Sequence, residues 1–314
     1  MPRTKYLLEY AFLRLVSGLL RLLPYEAALA AAWCLAAVAF HLLRFRRRET
    51  LRRIRAVFDN AVAPHQARRI AWLSLRNTCF NAVELMRTDR FTSDWMRRHV
   101  QGHTEVIGAI KELLAEHRGL VIATPHMGNW DLAGIAAHLE GVVLFTVAAN
   151  QRNPLVNAWL NRQRGHGIEV MPRGAAVLRH TVKRLRQGEA FAILPDVRTR
   201  RPDLTVPFLG GTANLGRGMA QFARVAGVPI LPVIVRRQGW RRHVFAVLPP
   251  VFPDKHLDKD VDLPRMTVQV MAGIDAAIRA DPGQWFWYNK RWVLEPLDAA
   301  VAPPTTPPEG GDER

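Results

Sequence analysis

The sequence predicts an α/β fold in which a largely parallel, mixed sheet is flanked by helices and preceded by a helical, membrane-associating segment. Three observations carry the prediction. From residue 119 onward, short apolar runs alternate with helical patterns, the order that arises when helices cross over between parallel strands. Before residue 119 the chain reads as helices alone. Finally, 44 Lys and Arg stand against 27 Asp and Glu, a net charge of +17. A field of that sign favours anionic partners.

Residues 5–23 interleave apolar side chains with Glu9, Arg14 and Arg21, an amphipathic helical pattern. Beyond Pro24, residues 27–43 are uncharged, and Arg44, Arg46, Arg47, Arg48, Arg52, Arg53 and Arg55 follow at once. The uncharged run sits at the lower edge of the roughly 20 residues that span a bilayer. A spanning anchor, a helix pair lying in the interface and a buried Ala-rich core helix all remain open. The Arg cluster favours membrane association, with the basic flank on the cytoplasmic face of the inner membrane. A cleavable signal peptide fits poorly, because the charged segment before the apolar run is too long.

Residues 50–118 read as helical, with Arg repeated on one side and Trp72, Leu75, Phe80 and Leu85 on the other. Strand-like runs follow at 119–124, 142–149, 168–171, 190–195, 228–236 and 243–248. Helical patterns at 131–139, 154–164, 174–187 and 214–226 separate most of them, and a last helix is predicted near 263–280. The Pro-rich, acidic end reads as disordered. The expected organisation is therefore membrane-associating helices over 1–48, an α/β domain with a helical front end over 49–296, and a tail over 297–314.

Composition narrows the function classes. At 49% hydrophobic the chain can bury a substantial core. Cys34 and Cys79 form no metal or redox spacing, and a disulfide framework is excluded. No metal site or resident cofactor is expected. Nucleic acid is disfavoured, since no zinc finger, KH loop or RNP-like aromatic strand is visible. Phosphoglycolipids, a membrane surface or an acidic carrier protein suit the basic charge better.

The chemistry concentrates at His126-Met-Gly-Asn-Trp-Asp131, where an imidazole and a carboxylate follow the apolar run Leu120–Thr124. A His steadied by a carboxylate is a general base near neutral pH. In open parallel sheets, sites form beyond the carboxyl ends of strands. Three runs end there in polar groups: 119–124 at His126, 142–149 at Asn150-Gln-Arg152, and 190–195 at Asp196. Trp285-Phe-Trp-Tyr288 reads as a C-terminal segment packed on the sheet, with headgroup contact as the alternative. Gly210-Gly211 through Gly218 reads as turn geometry and close backbone approach near the substrate groove.

Taken in order, these stretches resemble the lipid A biosynthesis (lauroyl/myristoyl-type) branch of the glycerolipid and lysophospholipid acyltransferase superfamily. The resemblance rests on His126-x4-Asp131, Asn153-Pro-Leu155 with Arg164 downstream, and Leu194-Pro-Asp196. It extends through Val206-Pro-Phe-Leu-Gly210, Ala220–Pro229, Asp281–Trp287 and Lys290-Arg-Trp292, covering roughly residues 5–295. It implies that His126 deprotonates an acceptor hydroxyl, which attacks the thioester of an acyl carrier protein or CoA. Asp131 would orient His126, and no covalent enzyme intermediate would form. It further implies that Arg164 stabilises an oxyanion or a phosphate, that Asp196 positions the acceptor, and that Asn129 and Arg152 bind substrate. Two departures stand out: Asp131 where many members carry Glu, and Arg152 in place of an Arg nearer Ala149. Arg198, Arg200 and Arg201 are further candidates for anion contacts, or a solvated charged loop. The expected function is acyl transfer to a hydroxyl of an anionic lipid A precursor. The rivals are a lysophospholipid or other glycolipid acceptor, and a non-catalytic basic surface protein.

Overall fold

The computed structural model describes residues 3–294 apart from 148–150, 166, 172, 173, 175, 200–202 and 291. The expected disordered tail, Arg200 and Arg201 lie outside the described residues. Helices come first: α1 (Thr4–Leu22), α2 (Tyr25–Ala37) with a π turn at Val38–Leu42, α3 (Arg47–Val57), α4 (Pro64–Met86) and α5 (Ser93–His99). Then follow β1 (Val100–Gln101), α6 (His103–His117), β2 (Leu120–Ala123), α7 (Trp130–Leu139), β3 (Leu144–Val147), α8 (Pro154–Gly165) and β4 (Glu169–Met171). The remainder is α9 (Val177–Arg186), β5 (Ala190–Ile193), β6 (Leu204–Phe208), β7 (Gly211–Leu215), α10 (Gly218–Ala226), β8 (Ile230–Gln238), β9 (Arg242–Val247) and α11 (Lys259–Ala280).

Seven strands form one sheet in the order β1-β9-β8-β2-β5-β3-β4. Neighbours from β8 to β4 are parallel, and β9 pairs antiparallel with β8. The predicted α/β class with a largely parallel, mixed sheet is the fold observed. Strand β2 is buried on both faces, as its unbroken apolar run requires. One core lies between the sheet and α6 and α7, around Ile110, Ile122 and Leu132. The other lies on the opposite face, where Phe191, Phe222, Met266 and Trp287 pack.

One expectation is corrected. The helix predicted over 214–226 begins at Gly218, and residues 211–215 instead pair with 204–208 as the hairpin β6–β7. Leu209 and Gly210 both take positive φ, +51° and +76°, the conformation that two-residue hairpin turns require. Pro207 and the short spacing hid this hairpin from a period-based reading.

At the front, α2 buries Ala28, Leu29 and Ala32 against Phe80 and Val83 of α4. Its other face and α1 leave Leu8, Phe12, Leu15, Leu35 and Leu42 exposed. The stretch Tyr25–Leu42 is long and apolar enough to cross a membrane by length and composition. Arg87 fastens the end of α1 by donating to the carbonyls of Leu20 and Leu23.

Candidate active site

Register brings the site together. Strands β2 and β5 pair in parallel with Ala123 opposite Ile193, and Thr124 N–H continues the ladder to the Ile193 carbonyl at 3.0 Å. Three residues past each of those partners stand His126 and Asp196. Asp196 Oδ1 lies 2.7 Å from His126 Nδ1, and Asp196 Oδ2 accepts the His126 backbone N–H at 2.7 Å. Trp285 Nε1–H donates to the same Oδ2 at 2.7 Å.

Asp196 is fully enclosed. Burial alone raises its carboxyl, but the His126 ring, its hydrogen bond, the Trp285 donor and the His126 backbone N–H outweigh burial, leaving the pKa lowered. An ionised Asp196 accepts from Nδ1–H, so the basic lone pair of the imidazole is on Nε2. The His126 ring lines a cavity of about 660 Å³, within the range of about 300–1,000 Å³ typical of small-ligand sites.

The partner of Asp131 is Arg164, whose Nε donates to Oδ1 at 3.1 Å, and both line the same cavity. The two carboxylates are therefore partnered differently from the expectation. Asp131 was expected to orient His126 and Asp196 to position the acceptor; Asp196 holds the ring and Asp131 holds Arg164. The physical reason is the β2–β5 register, which delivers Asp196 to Nδ1, while Asp131 departs into the first turn of α7.

Asn129 also takes a different place. Its Oδ1 caps α7 by accepting Leu132 N–H at 3.0 Å, and its Nδ2 donates to Glu84 Oε2 at 2.5 Å. Buried and occupied at both ends, it is a structural clamp rather than a substrate contact. Arg152 is exposed and outside the cavity lining, whereas Gln151 belongs to it. Arg198 is exposed. Ala149 and Asn150 fall outside the described residues.

The loop carrying His126 is held from three directions. Gly128 takes φ +58°, and a Cβ there would stand 2.3 Å from the Val235 carbonyl oxygen, so only glycine fits. Asn81 of α4 donates to the Gly128 carbonyl at 2.5 Å, and Phe286 N–H donates to the His126 carbonyl at 2.9 Å. Beneath the loop, Arg237 of β8 forks onto both oxygens of Glu84 at 2.7 and 2.5 Å, with both side chains fully buried. Burial pushes the Glu84 carboxyl up, but the Arg237 guanidinium more than reverses it, and the pKa is lowered. Tyr25 of α2 donates its hydroxyl to Glu84 Oε1 at 2.5 Å. The pair thus joins α2, α4, β8 and the His126 loop through Asn129.

Asn153 shows why the Asn-Pro pair lies where it does. Its Oδ1 accepts Leu155 N–H at 3.0 Å to start α8, and its Nδ2 reaches the Tyr6 carbonyl and Glu9 on α1. At the far end of α8 stands Arg164. Sequence reading missed Trp285 as a partner of Asp196 and missed Glu84 and Arg237 altogether. One signal was present for the Asp196 pairing: Ala123-Thr-Pro-His126 and Ile193-Leu-Pro-Asp196 place the polar residue at one offset from an apolar run.

A His held by a buried carboxylate, with a guanidinium lining the same cavity, is an arrangement suited to general-base chemistry. Residues 2–293 match the family of bacterial lipid A biosynthesis acyltransferases, and the chain belongs to that family of acyltransferase enzymes. Among curated relatives, phosphatidylinositol mannoside acyltransferase of Mycobacterium tuberculosis (strain CDC 1551 / Oshkosh) is 25% identical over 201 residues, 60% of each chain. Lipid A biosynthesis acyltransferase of Haemophilus influenzae is 25% identical over 199 residues, 61% of this chain and 59% of the relative. The matched stretches thus span about three fifths of these relatives. A 1-acyl-sn-glycerophosphate acyltransferase of known structure from Thermotoga maritima is 18% identical, with a TM-score of 0.37 over 80% of this chain and 95% of its own.

Proposed function

We propose that the protein transfers a fatty acyl chain from a carrier thioester to a hydroxyl of a lipid A precursor at a membrane surface, without a covalent enzyme intermediate. The observation that carries this reading is the His126–Asp196 contact, which leaves Nε2 as the base in the cavity. The acceptor O–H proton passes to Nε2 as the oxygen attacks the thioester carbonyl carbon. The resulting oxyanion collapses, the C–S bond breaks, and the leaving thiolate takes the proton back from the imidazolium. Asp196 stabilises that imidazolium. Arg164, steadied by Asp131, supplies positive charge for the oxyanion or an acceptor phosphate.

Exposed leucines and Phe12 of α1 and the face of α2 turned away from α4 supply an apolar surface beside the Arg44–Arg55 cluster. Because α2 packs its small-residue face on α4, we place these helices in the interface of the inner membrane, on its cytoplasmic side, rather than across it. The net positive charge suits both an acidic acyl carrier protein and an anionic acceptor, and acyl carrier protein is the donor proposed over CoA. The relatives named for mannoside substrates favour, as the second reading, a different glycolipid acceptor.

The test is transfer of labelled acyl chain from carrier thioester to a panel of lipids, with His126→Ala run alongside. Label entering lipid A precursor and lost in the variant supports the reading. Label entering only a mannoside or lysophospholipid moves it to the second, and unchanged transfer by His126→Ala overturns the mechanism.

A further inference from the structure

The C-terminal segment Pro282–Asn289 crosses the site as a strap. Met127 and Trp285 form an antiparallel bridge: Gly128 N–H donates to the Gln284 carbonyl at 3.1 Å, and Phe286 N–H to the His126 carbonyl at 2.9 Å. Between those two bonds the buried Trp285 indole turns to the other partner, donating Nε1–H to Asp196 Oδ2 at 2.7 Å. The strap therefore touches both halves of the His126–Asp196 pair. It is itself tied down. Ser74 of α4 donates its hydroxyl to the Trp285 carbonyl at 2.6 Å and accepts Trp287 N–H at 3.3 Å. The Gln284 side chain exchanges two hydrogen bonds with the Arg237 backbone, at 2.8 and 2.9 Å. Buried Arg53 of α3 donates to the carbonyls of Trp287 and Asn289, at 3.0 and 2.7 Å.

We propose that Trp285 is a positioning residue: its indole N–H fixes the Asp196 carboxylate against His126 Nδ1, and the strap holds the indole in place. The proposal rests on the acyl-transfer reading and adds a residue to it. Two observations separate this role from the packing of a large ring. Of the three donors on Asp196, two belong to His126, and those two alone let the carboxylate swing with the residue it serves. The indole is the third, and it comes from a fixed segment 89 positions further along. The neighbouring indole shows the other outcome, because Trp287 Nε1–H is satisfied within the strap by the Pro282 carbonyl at 2.7 Å. A buried indole N–H takes a partner; at position 285 that partner is a carboxylate. A donor on Oδ2 stabilises the carboxylate most while His126 is neutral, and less once an imidazolium shares its charge. The N–H thus loosens the pair's hold on the Nε2 proton, which returns to the leaving sulfur, while the Nδ1 proton stays in place. Asp131 of α7 and Arg164 of α8 share the cavity with the pair and are bonded to each other.

The test removes the N–H and keeps the ring. Trp285 is replaced by a tryptophan analogue carrying sulfur where the indole has N–H, in the full chain in detergent. Trp285→Phe is made alongside, and Trp287→Phe serves as the comparison. With the analogue, kcat should fall about tenfold or more with KM within about twofold. The acidic limb of kcat/KM should move up by about half a pH unit or more. Nitrogen NMR of the histidine rings, assigned by the signals lost in His126→Ala, should show the same rise in the His126 titration without substrate. Trp287→Phe should lower the denaturation midpoint and leave that titration where it is. An unmoved His126 titration with wild-type kcat in the analogue overturns the proposal, as does a rise in KM alone. An equal shift from Trp287→Phe also overturns it, since the effect would then be loosening of the whole strap. If Trp285→Phe fails to fold, the analogue, of nearly the same shape, still decides. Failure of the acyl-transfer reading appears separately, as absence of wild-type transfer to every lipid while the His126 titration still depends on the indole N–H.

Discussion

At the residue scale, the question is which carboxylate serves His126. Asp196 is buried with three donors on two oxygens, and every one of them favours its ionised form. Asp196→Asn keeps the shape but presents an amide to Nδ1, which frees the ring to adopt the other tautomer. We expect kcat to fall by about 10²- to 10⁴-fold with substrate KM little changed, measured by initial rates of transfer. Asp131→Asn should instead raise KM more than it lowers kcat, because its partner is Arg164 at 3.1 Å and not the base. A larger kcat loss in Asp131→Asn than in Asp196→Asn would return the orienting role to Asp131. The His126 ring beside a strand end was readable from the sequence. Its partner was not, because strand order decides whether the carboxylate 5 residues on or the one 70 residues on arrives.

At the element scale, the loop between β2 and α7 is rigid because α4 and β8 grip it. Gly128→Ala drives a methyl against the Val235 carbonyl, and we expect a loss of about 1–3 kcal/mol in chemical denaturation together with lost activity. Glu84→Gln leaves Arg237 buried with its charge uncompensated, a loss of about 3–5 kcal/mol. A double variant, Glu84→Gln with Arg237→Met, should recover part of that, and strict additivity in the denaturation midpoints would show that the two do not interact. The helix α4 was legible as a helix from its period, and Phe80 as core. Glu84 was not, since a carboxylate on a predicted apolar face looks like an exposed charge until its Arg partner arrives from a strand 153 positions away. The β6–β7 hairpin was missed for a related reason: its pairing, not its period, makes it sheet.

At the scale of the whole molecule, buried ionisable groups set how the fold responds to pH. Glu84 and Asp196 have folded pKa values below the ordinary carboxylate range. Their stabilising contribution is complete above about pH 4, the unfolded range, and is lost as pH falls through the lower folded values. Burial also lowers His243 and His103, so the unfolded chain takes up protons first as pH drops below about 6.5. Stability should therefore decline progressively on acidification from neutral pH, checked as denaturation midpoints across a pH series; a flat profile between pH 7 and 5 would contradict the buried, neutral state of these His rings. The apolar surface of α1 makes a second prediction. Leu15→Asp with Leu19→Asp, both exposed, should reduce partition onto anionic vesicles by at least about tenfold while leaving the unfolding midpoint unchanged.

The sequence by itself determined the fold class, the six main strand positions, the apolar front end with its Arg flank, and the place of His126 just beyond a strand end. These are properties of period, composition and local spacing, and each is written in a contiguous stretch of chain. Only the tertiary structure decided that Asp196 rather than Asp131 meets Nδ1, that Asn129 clamps the loop to Glu84, and that Arg164 meets Asp131. Each of those depends on which strands become neighbours and in what register, and β5 inserts between β2 and β3 although it follows both in the chain. Long-range pairing of that kind follows from the packing of the whole core.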